Sequence, residues 1–90
     1  MIKIVLLQLP EDITKQEQIT KFIEEVTEFI SAVNYKCNAC KIEEFYDVVQ
    51  VGLGLLDIEG ISVQDIQYGL KVHNDKLLGR EWQFKEGVHL

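Results

Sequence analysis

Between Ile42 and Ile58 the chain carries apolar side chains on almost every side of a helical wheel: Phe45, Tyr46, Val48, Val49, Val51, Leu53, Leu55, Leu56 and Ile58. A helix of this character is buried on most sides. The chain has only 90 residues, enough for a single domain at most, and a chain this short buries a modest fraction of its surface. One other helix of so small a monomer cannot cover the segment. An all-α fold whose bundle is completed by oligomerisation, as a homodimer or homotetramer, is therefore expected. The apolar share of 47% points the same way. Gly52 and Gly54 lower the helix propensity of this segment, and close helix–helix approach is their expected use.

The rest of the chain supplies the partners. From about Thr14 to Val33 there is no Gly or Pro, and Ile19, Phe22, Ile23, Val26, Phe29, Ile30 and Val33 recur at helical spacing. Asn34 to Lys41 reads as a polar connector of ordinary helix–helix length. Gly60 reads as a stop and Ser62 as the N-cap of a third helix reaching about Leu78, with Gly79 as its stop. The expected architecture is an antiparallel helical hairpin plus a third helix, one domain over residues 1–90 with its motif-bearing core at about 14–82. Met1 to Leu9 is apolar and β-branched, consistent with a short strand, an extended arm or a first helical turn packed on a partner. Pro10-Glu11-Asp12 follows it instead of a small-residue cleavage site, so it does not read as a signal peptide. No run reaches transmembrane length, and a cytoplasmic location is the default expectation. The net charge of −6 argues against nucleic-acid polymers and anionic membranes as partners and favours cations.

Carboxylates carry the chemistry. Glu25 and Glu28 are one i,i+3 pair and Glu44 and Asp47 another, and such pairs lie on adjacent turns of one helix face. Glu24, Glu25 and Glu28 alone would pass for a solvated surface. Glu44 and Asp47 stand among apolar neighbours, where a carboxylate is costly unless paired or metal-bound. No Lys or Arg lies between Ile42 and Leu70. If the first two helices pack antiparallel, Glu28 faces Glu44 and Glu25 faces Asp47, and axes about 8–10 Å apart let the four converge. Oxygen ligands without His or Cys select Mg²⁺ or Mn²⁺ over Zn²⁺.

The ordered pair Glu24-Glu25-x-x-Glu28 and Glu44-x-x-Asp47 resembles the motifs of the MazG-like, all-α nucleoside triphosphate pyrophosphohydrolases. The phrase QITKFIEEVTEFISAV looks like that family's first motif helix, and the resemblance covers about Gln18 to Trp82. It implies hydrolysis of a nucleoside triphosphate to the monophosphate and pyrophosphate, as nucleotide-pool house-cleaning. On this resemblance Glu25, Glu28, Glu44 and Asp47 match the Mg²⁺ ligands. Glu24 matches the motif's first acid, a catalytic position with Glu25 that binds a second metal or orients water. Lys71, Asn74, Lys76 and Arg80 are similar to positions that reach phosphates in the family, Lys76 and Arg80 most closely. Their alternative reading is ordinary positive charge near a helix C-terminus.

Trp82 reads as core or interface packing ahead of base stacking, and His73 as a surface residue. Tyr46 and Tyr68 read as packing residues. Cys37 and Cys40 form a lone CxxC, which lacks the second pair a structural zinc needs and reads as two connector thiols. Two other functions stay open. One is a non-catalytic helical oligomerisation or regulatory module on the same scaffold. The other is a related pyrophosphatase acting on dUTP or phosphoribosyl-ATP.

Overall fold

The computed structural model describes residues 3–89, and among them there are three helices and no strand. Helix α1 spans Lys15–Tyr35, α2 spans Asn38–Ile58 and α3 spans Val63–Gly79. Each begins at a residue whose side chain accepts an otherwise orphaned backbone N–H. Thr14 opens α1 with a capping box: its hydroxyl accepts from the Glu17 N–H at 3.0 Å, and the Glu17 carboxylate accepts from the Thr14 N–H at 3.3 Å. Ser62 opens α3 as expected, accepting from the Asp65 N–H at 3.1 Å.

The connector expected over Asn34 to Lys41 is far shorter than that. Helix α1 runs on to Tyr35 and α2 starts at Asn38, so only Lys36 and Cys37 lie between them. The cause is the cap at Cys37, whose Sγ accepts from the Cys40 N–H at 3.3 Å. Sulfur is not among the usual capping groups, so the sequence offers no ordinary signal for a helix start there. Cys37 and Cys40 are joined as a disulfide across this first turn, with Cα atoms 5.2 Å apart. That corrects the reading of two connector thiols.

Gly60 ends α2 as its sequence implies. At φ 77° it occupies the left-handed position. The Gly60 N–H donates to the Asp57 carbonyl at 2.9 Å and the Ile61 N–H to the Leu56 carbonyl at 3.0 Å, a full Schellman closure. Helix α3 departs from expectation. Gly79 belongs to the helix, and the left-handed position falls to Glu81 at φ 68°. The Glu81 and Trp82 N–H groups close onto the carbonyls of Leu78 and Leu77, each at 3.3 Å.

Helices α1 and α2 pack along each other. Residues early in α1 meet residues late in α2. Gln18 lies against Val51 and Gly54, Phe22 against Gly52, and Phe29 against Phe45 with ring centroids 6.0 Å apart. The two glycines are the close-approach points. A Cβ on Gly52 would meet Phe22 at 3.4 Å, and one on Gly54 would meet the Gln18 amide at 2.8 Å. Ahead of α1, residues 3–14 form an irregular arm with a turn closed by the Ile13 N–H on the Pro10 carbonyl at 3.2 Å. The Gln50 amide donates to the Val5 carbonyl and ties the arm to α2. Of the apolar segment Met1 to Leu9, expected as a strand, an arm or a helical turn, Met1 and Ile2 lie outside the described residues.

The core of this single chain is thin. Among the described residues only Gln18, Ala32, Val51 and Gly54 are buried. Helix α3 makes no close backbone approach to α1 or α2 and buries no residue. Ile23, Ile30, Val33, Ile42, Phe45 and Leu56 on the first two helices stay exposed, as do Tyr68, Leu70, Val72 and Leu78 on α3. Trp82 is 68% exposed, so it packs into no core of this chain. No helix among the described residues is long and apolar enough to cross a membrane.

Candidate metal centre

The opposed order of contacts between α1 and α2 brings carboxylates from distant parts of the chain together. Glu25, Glu28 and Glu44 each offer an oxygen within 4.8 Å of the others. Glu25 and Glu44 are half-buried and Glu28 is exposed. The spacing rule explains the convergence. Glu25 and Glu28 lie one turn apart on α1, and Glu44 comes from the second turn of α2.

Asp47 lies next to this trio rather than within it. It lines one cleft together with Glu25, and its charge acts on both Glu25 and Glu44. Glu24 is exposed and outside the cluster. Lys71, Asn74, Lys76 and Arg80 are all exposed on or just after α3. Lys71 is paired with Asp75 at 3.1 Å on its own helix. Lys76 sits in the last turn of α3, where the helix dipole favours a cation. Within one chain, then, α3 stands apart from the carboxylates.

The electrostatics follow from crowding. Burial holds the Glu25 carboxyl above its ordinary range, and the charges of Glu28 and Asp47 add to that. Lys21 opposes the shift from one turn earlier on α1, its Nζ 3.8 Å from a Glu25 oxygen. Burial also raises Glu44, followed by the charges of Glu28 and Asp47. One oxygen of Glu25 and one of Glu44 are enclosed without any hydrogen-bond partner. Enclosed carboxylate oxygens without donors are unfavourable, and either a proton or a cation would relieve them. The donor set is all carboxylate, which suits a hard divalent cation.

Three further residues reach this region and were not singled out from sequence. Lys21, Gln18 and Gln50 line the same cleft as Glu25 and Asp47. The signal for all three was present. Lys21 and Gln18 precede Glu25 by one and two helical turns, so they share its face. Gln50 follows Asp47 by one turn on α2.

Compared with protein families, with curated proteins and with solved structures, the chain finds no match.

Proposed function

We propose that this protein is a Mg²⁺-dependent nucleoside triphosphate pyrophosphohydrolase of the MazG-like kind, releasing the monophosphate and pyrophosphate. The observation that carries the reading is the convergence of Glu25, Glu28 and Glu44 oxygens within 4.8 Å, two of these residues holding unpartnered enclosed oxygens. Glu25, Glu28 and Glu44 would hold a divalent ion, with Asp47 completing the charge. When bound, such an ion neutralises phosphate charge and makes its bound water acidic. Glu25 within the cluster, and Glu24 beside it in sequence, are the carboxylates that would accept a proton from attacking water. Lys21 is the cation of α1 nearest the cluster, and phosphate oxygens would compete with Glu25 for it.

The fold in this reading is an antiparallel helical hairpin plus a third helix, completed by a second copy as a homodimer or homotetramer. The exposed apolar side chains on all three helices support it, since assembly would remove that surface from water. Lys71, Asn74, Lys76 and Arg80 would then approach the phosphates only through assembly.

With Mg²⁺ present, the purified chain is expected to release pyrophosphate, not orthophosphate, from at least one nucleoside triphosphate. Glu44→Gln and Asp47→Asn are expected to abolish release while helix content is retained. No turnover across common and modified triphosphates would overturn the proposal.

A second reading, a non-catalytic helical oligomerisation module, draws on one observation: α3 and its basic residues stand apart from the carboxylates. Calorimetry with Mg²⁺ and Mn²⁺ separates the two. A filled carboxylate site raises the melting temperature; no shift at millimolar metal favours the module.

A further inference from the structure

Glu25 and Asp47 form one part of a cleft of about 370 Å³ that runs between the two long helices and the N-terminal arm. Its arm side is apolar, formed by Leu7, Leu9, Pro10 and Ile13. Its helix side holds Glu25 and Asp47, and also the amide of Gln18.

Gln18 is the unusual member. It is 2% exposed, the most enclosed polar side chain among the described residues. Its Nε2 makes one long contact with the Val51 carbonyl at 3.5 Å, and its Oε1 has no partner at all. An enclosed amide left half-satisfied is destabilising. The helix nevertheless makes room for it. Gly54 lies opposite, and any Cβ there would stand 2.8 Å from Nε2. Residue 18 therefore occupies a fitted seat, with an acceptor and a spare N–H that the protein itself leaves unused.

The placement fixes what could use them. Gln18 precedes Glu25 by two turns on the same face of α1, about 10 Å along the axis. That is comparable to the reach from the outer edge of a nucleobase to the inner phosphates of an extended nucleotide. A flat ring with apolar faces and a polar edge matches an apolar wall faced by the Gln18 amide; the cleft's other amide, Gln50, already donates to the Val5 carbonyl. We infer that Gln18 is a specificity-determining residue whose amide reads the hydrogen-bonding edge of a nucleobase, with the arm from Leu7 to Ile13 as the wall the ring lies against. The inference rests on the triphosphate reading and names the nucleoside end of that same site. Oε1 accepts an N–H of the base and Nε2 donates to a neighbouring ring acceptor. The Leu9 side chain, seated over Gly54, gives way as the base enters.

The experiment uses the full chain with Mg²⁺ and a panel of ribo- and deoxyribonucleoside triphosphates. Wild type is expected to rank them by base. Gln18→Leu, which keeps bulk and removes the amide, is expected to flatten that ranking by about tenfold or more in relative kcat/KM. Wild-type turnover with an unchanged ranking in Gln18→Leu would overturn the inference and leave the proposed activity standing. No turnover by wild type on any triphosphate would overturn the activity. The cleft is then decided by nucleosides alone, followed by NMR on the Gln18 side-chain amide of the wild-type chain. A shift that differs between bases at millimolar nucleoside supports the pocket, and no shift with any of them overturns it. The same NMR measurement decides the matter should Gln18→Leu fail to fold.

Discussion

Replacing Gly54 with alanine tests the packing that seats Gln18. The new Cβ would lie 2.8 Å from Gln18 Nε2 and 3.5 Å from Leu9 Cδ1. The first separation is closer than van der Waals contact, and Gln18 is 2% exposed, so its amide cannot swing freely into solvent. Overpacking a filled site costs about 1–3 kcal/mol. Alanine recovers about 1 kcal/mol of helix propensity over glycine. The net expectation is a loss of about 0–2 kcal/mol. Gly52 is the internal reference, in the same helix and half-buried. Its Cβ would meet Phe22 at 3.4 Å and nothing closer, so Gly52→Ala keeps most of the propensity gain. The two chemically identical substitutions should therefore differ by about 1–3 kcal/mol. In a domain of this size each 1 kcal/mol moves the melting temperature by about 4–8 °C. The assay is urea unfolding followed by far-ultraviolet circular dichroism, at one protein concentration because assembly shifts apparent stability. A double variant, Gly54→Ala with Gln18→Ala, should recover part of the loss, since it removes the obstructing amide. Equal midpoints for Gly52→Ala and Gly54→Ala would refute the reasoning.

Glu44→Gln is expected to raise the melting temperature of the metal-free protein, because it removes one of three crowded charges, and to erase any stabilisation by Mg²⁺; a lowered melting temperature would count against repulsion at the cluster. The raised pKa values of Glu25 and Glu44 set a pH dependence. Both lie above the unfolded value of 4.5, so the folded state binds more protons from there up to the folded pKa. Their contribution to stability is full below the unfolded value and is lost as pH rises through the folded one. Thermal melts of wild type against Glu44→Gln across that range should show the difference growing with pH and then levelling; a difference that shrinks would reverse the sign argued here. Glu81→Gly relieves a left-handed backbone position at φ 68° and should slow amide exchange in the last turn of α3, by about 1 kcal/mol of added protection. Reducing the Cys37–Cys40 disulfide opens only a one-turn loop and should lower the unfolding free energy by about 2 kcal/mol at most, read from the urea midpoint with and without dithiothreitol.

Helices are legible in this chain because their signals are local. The apolar spacing from Ile19 to Val33, the cap at Ser62 and the left-handed glycine at Gly60 each act within a turn or two, and the structure uses all three. Local rules failed where the group was atypical or the competition was close. A cysteine sulfur caps α2, so the helix begins at Asn38 instead of Ile42. Glu81 takes the turn position that Gly79 was expected to mark. The meeting of Glu25 and Glu28 with Glu44 was foreseeable from two i,i+3 spacings once the helices were set side by side.

What local pattern could not supply is how these faces meet. The register of α1 on α2 is set by two glycines and the side chains opposite them. That register puts Glu44 among the α1 carboxylates and leaves Asp47 lining the cleft outside that trio, although spacing alone treats the pair as equivalent. It also encloses Gln18, a polar residue that no periodicity would assign to a core. The physical reason is that helix formation depends on neighbours in sequence, whereas burial and charge crowding depend on neighbours across the interface. Residues 15–58 could be read as two helices from the chain alone, but only their packing decided which side chains face the carboxylate cluster and the cleft.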